Sequence, residues 1–123
     1  MDSIDSTTPN SGPAPPPAAN PDEVRAWLRA HRIEEAECFT PDLVGVARGK
    51  AMPASKFAEL KPSFLPISIF FQSITGDYAD FDREDYWTER DINLVPDLST
   101  LRVVPWANEP TVQIIHDLHE ADG

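Results

Sequence analysis

The last third of the chain contains three short apolar runs, and turn-forming residues separate them. Pro96 stands in the first connecting segment and Pro110 ends the second. The runs cover residues 92–95, 101–106 and 111–118. The side chains that period-two alternation places on one face of the third run are Val112, Ile114, His116 and Leu118. Short runs of β-branched and aromatic residues bounded by turns predict three strands in this part of the chain.

An amphipathic helix is predicted at about residues 21–31. Asn20 is a suitable N-cap, and Pro21 fits the first helical position because no N–H is needed there. Two acidic residues follow, where the positive end of the helix dipole favours them. The apolar stripe at helical spacing consists of Val24, Trp27 and Leu28, with His31 at the next position.

The middle of the chain predicts further short elements. Residues 37–50 read as two extended runs around Pro41-Asp42, which indicates a hairpin, and residues 54–60 read as a short helix. One helix followed by about five short strands, without βαβ alternation, predicts an α+β fold with a mixed or antiparallel sheet.

The first 20 residues read as a tail rather than as part of this domain. Several of the 13 prolines of the chain lie there among Ser, Thr, Asn and Ala, and no large aromatic residue accompanies them. Such a segment cannot bury enough apolar surface to offset the entropy of ordering it, so we expect disorder. The predicted folded domain spans residues 21–123.

Charge and composition narrow the class of partner. The net charge is -11 and the isoelectric point is about 4.4, which disfavours nucleic acid and anionic membranes as partners. No apolar run approaches the roughly 20 residues that span a bilayer, and the N-terminus lacks the basic start of a signal peptide. The chain has a single cysteine, so no internal disulfide is possible. We expect a cytoplasmic protein.

The local motifs predict no catalytic residue and no metal ligand. Residues 45–50 invite a phosphate-loop reading, but their glycines are too close together and no Ser or Thr follows the lysine. A strand whose glycines let another backbone approach is the better interpretation. His116 and His119 would point to opposite faces of a strand. Cys38 lies in an apolar run without a nearby histidine, which indicates a buried small side chain.

The acidic segment at residues 75–90 contains interleaved aromatic side chains. These are Tyr78, Phe81, Tyr86 and Trp87. Aromatic rings among carboxylates can cage a cationic amine through cation–π and charge attraction. The same rings also suit packing onto the domain or onto a partner subunit, and the residues alone leave both interpretations open.

Four segments, in order, resemble the β-grasp N-terminal domain of the glutamine synthetase superfamily. The first reads Asp-Leu-Val-Gly-Val-Ala-Arg-Gly-Lys at residues 42–50, similar to the family's Asp-x-x-Gly-x-x-Arg-Gly-Lys hairpin. The others lie at residues 74–77, 91–106 and 112–123, and the last has His116 where the family commonly has cysteine. The first and third segments look closest to the γ-glutamylpolyamine (γ-glutamylputrescine) synthetase-like branch.

The resemblance implies part of an ATP-dependent ligase that joins glutamate to an amine through a γ-glutamyl phosphate. In that family ATP and Mg or Mn belong to a C-terminal catalytic domain, which we expect to be absent here, so this chain alone should bind no cofactor and catalyse nothing. Its implied partners are that catalytic domain and the neighbouring subunits of a ring-shaped homo-oligomer, whose inter-subunit active site it helps to close. The alternative is a stand-alone, non-catalytic β-grasp interaction module or a truncated family product.

The resemblance also implies where the amine would bind. Ammonia-using members carry, in the loop that corresponds to residues 72–76, an aspartate that helps to deprotonate ammonium. Here Ser73 or Gln72 stands in its place, and neither a hydroxyl nor an amide acts as that base at neutral pH. A larger amine is therefore implied. The residues of its expected pocket are Ser73, Thr75, Asp77 and Tyr78.

Overall fold

The computed structural model describes residues 20–77 and 90–120. The elements, in chain order, are α1 (Pro21–Ala30), β1 (Glu35–Pro41), β2 (Ala47–Pro53), α2 (Ala54–Phe57), β3 (Ser63–Pro66), a 3-10 helix (Ile67–Phe71), β4 (Asp91–Pro96), a second 3-10 helix (Leu98–Thr100), β5 (Arg102–Val103) and β6 (Thr111–Glu120). The expected disordered tail, Tyr78 and the three aromatic residues after it lie outside the described residues. The expectations for them stay predictions.

Helix α1 forms as its sequence predicts. The Asn20 side chain accepts a hydrogen bond from the backbone N–H of Asp22 at 2.9 Å, and Pro21 occupies the first turn. Val24 and Leu28 are buried against the sheet, while Trp27 stacks on the His31 ring at a centroid distance of 4.7 Å. Helix α1 is therefore held on the sheet by one buried stripe.

No helix in the described ranges is long and apolar enough to cross a bilayer.

The strands form one mixed sheet with β6 in its middle. The strand order is β2-β1-β6-β4-β3, and β5 also pairs with β6. Among the described strands only β1 and β6 run parallel, with Ala36 opposite Val112 and Cys38 opposite Ile114, whereas the other pairs are antiparallel. The predicted α+β class with one N-terminal helix on a mixed sheet is confirmed, and the arrangement is that of a β-grasp.

The predicted strand at residues 101–106 is mostly absent. Only Arg102–Val103 is a strand, and Trp106 lies in a turn with 74% of its surface exposed. The strands β4 and β5 do not pair with each other, since both pair with successive parts of β6. Between them the chain leaves the sheet in a short 3-10 helix, and Leu101 inserts into the core. Burying Leu101 therefore separates β4 from β5, which lie in succession along the same side of β6.

The core lies between α1, α2 and the inner face of the sheet. Its buried members are Val24, Leu28, Ala36, Cys38, Phe57, Leu101, Val112 and Ile114. The inward positions of β1 and β6 supply half of this list, because alternate residues of a strand share a face. Three of the four residues predicted to share one face of β6 are buried, namely Val112, Ile114 and His116. The fourth, Leu118, is 43% exposed.

Gly49 leaves no room for a side chain between β1 and β2. It lies opposite Phe39 in the β1–β2 pair, and a Cβ placed there would collide with the carbonyl oxygen of Cys38. The interpretation of a close backbone approach therefore holds for Gly49. It is wrong for Gly45, which lies in the hairpin turn with φ +83° and no atom near the position of a Cβ.

The His116 ring is buried within this fold. Its Nδ1 lies 3.2 Å from the carbonyl oxygen of Ile114, and its ring meets that of Phe57 edge-on. Burial lowers the pKa of His116 below its ordinary value of 6.5, and the Ile114 carbonyl and the charge of Asp117 offset this only in part. The ring is therefore neutral near pH 7.

Replacing Gly49 with alanine should destabilise the fold by about 1–3 kcal/mol, because β1 and β2 must move apart to admit the methyl group. Urea unfolding followed by circular dichroism measures the change. Gly45→Asn is the matched control, since asparagine tolerates a left-handed backbone and finds open space there. Equal stability of the Gly49→Ala variant and the wild type would contradict the close approach.

Stability should fall as the pH is lowered through about 6.5, because the unfolded chain protonates His116 more readily than the fold does. A depressed pKa in the folded state gives stability that is fully present above the unfolded value and decreases below it. The measurement is the free energy of unfolding at about pH 7.5 and about pH 5.5. His116→Gln should flatten this dependence, whereas His119→Gln, an exposed neighbour, should keep it. The same slope in both variants would show that His116 is not its source.

Candidate functional site

The Asp42 side chain organises the turn between β1 and β2. Its Oδ1 accepts hydrogen bonds from the backbone N–H groups of Val44 at 3.0 Å and Val46 at 2.9 Å. Its Oδ2 accepts a hydrogen bond from Nε of Arg48 at 3.0 Å. The carboxylate is 1% exposed and the Arg48 side chain 16%. A single carboxylate thus satisfies two turn amides and one guanidinium, which fixes the turn.

Arg48 connects this turn to the loop at residues 72–77. While its Nε binds Asp42, its Nη2 donates a hydrogen bond to the carbonyl oxygen of Ser73 at 3.3 Å. The planar guanidinium holds both partners in a fixed relative direction. We call the two connected segments, residues 42–48 and 72–77, the hairpin end.

The loop brings three of the four predicted pocket residues together. The Ser73 hydroxyl lies 2.9 Å from that of Thr75, which donates to Oδ2 of Asp77 at 2.9 Å. The backbone closes the loop: the Ser73 N–H donates to the Asp77 carbonyl at 2.7 Å, and the Gly76 N–H to the Ser73 carbonyl at 2.9 Å. Gly76 has φ +90°, which favours glycine there. Tyr78 lies outside the described residues, so its place in the pocket stays a prediction.

The side chains of this loop combine one carboxylate with two hydroxyls. Asp77 offers its carboxylate on the solvent side, and the Ser73 and Thr75 hydroxyl oxygens beside it can accept hydrogen bonds, since Thr75 donates its own proton to Asp77. A carboxylate with neighbouring hydroxyls can hold an ammonium group by charge and by hydrogen bonds. Neither hydroxyl removes a proton from an amine at neutral pH, so among these three side chains Asp77 is the one that can carry a negative charge or accept a proton.

The electrostatics of Asp42 favour its ionised form. Burial raises the pKa of this carboxyl, but the hydrogen bonds from Val46, Arg48 and Val44 and the charge of Arg48 together bring it below its ordinary value of 3.8. The Asp42–Arg48 ion pair is therefore intact throughout the neutral pH range, and the hairpin end keeps its connection there.

Three exposed apolar side chains belong to the hairpin end. Leu43 is 91% exposed, Val44 is 55% exposed and Ile74 is 76% exposed. Leu43 and Val44 follow Asp42, and Ile74 follows Ser73, so the Arg48 connection places all three at this end of the molecule. Apolar groups clustered around polar ones are typical of a surface that a partner covers.

The other side chains that were candidates for a functional role are parts of the structure. Cys38 is buried at 1% exposure, and burial raises the pKa of its thiol to about 11, with the positive charge of Lys50 opposing the rise only in part. The predicted buried, unreactive thiol is confirmed. His116 is buried while His119 is exposed on the opposite face of β6. Within residues 20–77 and 90–120, no three His, Cys, Asp or Glu side chains lie close enough together to hold a metal ion.

The Asp42–Arg48 ion pair could have been predicted from the spacing of the two residues across the hairpin, although no motif indicated it. The hairpin sets Thr40 opposite Arg48, so the carboxylate at the start of the turn lies beside the arginine that follows it. An aspartate six positions before an arginine across a tight turn therefore predicts an ion pair. The bond from Arg48 to Ser73 joins distant segments and has no comparable signal.

Comparisons with known proteins found two relatives that match nearly the same share of this chain. The chain is 31% identical over 106 residues to a glutamate–isopropylamine ligase of Pseudomonas sp. and 28% identical over 103 residues to lengsin of Homo sapiens. These matches cover 82% and 81% of this chain but 23% and 20% of the relatives. No protein-family model matches the chain.

Solved structures show the same relationship at the level of the fold. GmaS without ligand and a GmaS complex with ADP each superpose with a TM-score of 0.57 at 24% identity. They match 80% and 79% of this chain, which spans about a fifth of either GmaS chain. These structures show the fold, and the two relatives confirm over about four-fifths of the chain the resemblance to the glutamine synthetase superfamily that the sequence predicted.

Proposed function

We propose that this chain is the N-terminal β-grasp part of an ATP-dependent ligase that forms a γ-glutamyl amide from glutamate and an amine. The observation that carries the proposal is the 31% identity to a glutamate–isopropylamine ligase over most of the chain. Because the chain spans only 23% of that relative, the reaction belongs to a longer protein. We place this protein in the cytoplasm, where glutamate and ATP are available.

The amine is the substrate that this domain would contact. An alkylamine is protonated at neutral pH, and the Asp77 carboxylate with the Ser73 and Thr75 hydroxyls suits its ammonium group. The loop is exposed in this chain and rigidly tied to the hairpin through Arg48. The chain thus offers a positioned amine-binding surface that another protein surface completes.

Phosphoryl transfer is assigned to other residues of the longer protein. ATP-dependent activation of a carboxylate needs divalent cations held by several carboxylate or histidine ligands. The described residues contain no such group, so they do not fit Mg or Mn, and we assign no step of phosphoryl transfer to them.

The partner would be a neighbouring subunit and its catalytic domain. The hairpin end, which includes the proposed amine-binding loop, exposes the apolar side chains of Leu43, Val44 and Ile74. Covering them would remove apolar surface from water and at the same time close the loop over a site on the partner. A ring of identical subunits meets this requirement because each subunit donates its loop to the next.

Asp77→Asn should raise the KM for the amine by roughly tenfold or more, because a charge-assisted hydrogen bond to the ammonium group is lost. The enzyme to test is the longer ligase that carries this domain, with ATP, glutamate and isopropylamine, putrescine or ammonia, followed by phosphate release. The KM for glutamate should not change. Glu109→Gln, an exposed acid away from the loop, is the charge-matched control. Absence of phosphate release with any amine would overturn the proposed function.

Arg48→Met should release the loop from the hairpin and leave Asp42 without its guanidinium partner. Amide hydrogen exchange of Ser73 and Gly76 should become faster, whereas exchange in the strands β1 and β6 should change little. Arg29→Met removes an exposed arginine of α1 and serves as the control. Unchanged exchange at Ser73 in the Arg48 variant would show that the guanidinium does not hold the loop.

A further inference from the structure

A cavity of about 230 Å³ opens beside α2. Its inner part is apolar and includes the buried side chains of Cys38, Phe57 and Leu94. Phe57 also contacts the His116 ring edge-on, and that ring lines the cavity as well. The cavity shares no residue with the 72–77 loop, so it is separate from the proposed amine site.

The mouth of this cavity is basic in a strongly acidic protein. The lysines of the sequence are Lys50, Lys56 and Lys61, and every one of them lines it. The whole chain has a net charge of -11, so cations gathered at one opening are not explained by the general surface charge. The potential at the mouth favours an anion.

The positive charge at the mouth is only partly neutralised. Lys61 pairs with Glu59 at 2.9 Å. The other ion pairs of the described residues involve arginines, and none involves Lys50 or Lys56. Lys50 lies opposite Cys38 in the β1–β2 pair, and its positive charge opposes the rise in the pKa of that thiol. Glu59 also lines the cavity, and the charge of Lys56 acts on it without forming an ion pair. The ammonium groups of Lys50 and Lys56 therefore have no ion-pair partner among the described residues.

We propose that this cavity binds a small amphipathic carboxylate, whose charged group meets Lys50 and Lys56 while its apolar body lies against Phe57 and Leu94. The volume is below the roughly 300–1,000 Å³ of sites for drug-sized ligands, so the ligand is a short-chain or single-ring acid. A small anion without an apolar body would leave the apolar interior empty. An uncharged apolar molecule would leave the lysines at the mouth without a partner.

Octanoate is the probe, and isothermal titration calorimetry with this chain is the measurement. We expect a dissociation constant on the order of 0.1–1 mM for octanoate. Octanol has the same apolar body without the charge, and acetate has the charge without the body. Both should bind at least roughly tenfold more weakly. Amide shifts in NMR spectra should change around Phe57 and His116 and stay unchanged at Ser73 and Gly76.

Substitution tests the charged part directly. Lys50→Gln and Lys56→Gln should each weaken octanoate binding by roughly threefold to tenfold, because each removes one cation from the mouth. Arg29→Gln removes one positive charge from α1 at an exposed position and should leave binding unchanged. Circular dichroism checks that the variants are folded.

Three results would overturn the proposal: no octanoate binding, equal binding of octanol and octanoate, or equal weakening by Arg29→Gln and the lysine substitutions. None of them bears on the ligase reaction, which is measured with the longer protein. Failure of the ligase assay, conversely, would not change the octanoate binding that we expect of this chain.

Discussion

The pairing of β6 on both of its sides is the constraint on which the rest of the structure depends. Along one side it runs parallel to β1, and along the other it receives β5 and β4 in turn. Its inward residues Val112, Ile114 and His116 form the floor on which α1 and α2 pack. Since β1 continues into the hairpin, the position of β6 also fixes where the hairpin end lies.

The parts of the fold that the sequence predicted are those with a local physical cause. Helix α1 has its cap, its proline and its apolar stripe within eleven consecutive residues, and the β1–β2 hairpin is marked by Pro41-Asp42. The end of β5 was not predictable in the same way. Residues 101–106 have strand-like composition, but the chain buries Leu101 in the core and turns away after Val103. Competition between a local propensity and a distant core contact is decided only in the folded structure.

The candidate site shows the same division between local and distant information. The clustering of Ser73, Thr75 and Asp77 follows from a short loop closed by Gly76, and the resemblance to ligases drew attention to it. Its attachment through Arg48 depends on two segments separated by 25 positions. Leu43 and Ile74 are exposed at the hairpin end, and the neighbouring subunit that we propose would remove their apolar surface from water.

Subunit complementation in a longer ligase that carries this domain tests most directly whether the 72–77 loop serves a neighbouring subunit. One variant has residues 73–77 replaced by glycines, and the other has an inactivated catalytic domain with an intact loop. After separate purification, the two are mixed, dissociated and reassembled, and amine-dependent phosphate release is measured. Activity in the mixture that neither variant has alone is the expected result. A mixture as inactive as its components would contradict a site built from two subunits.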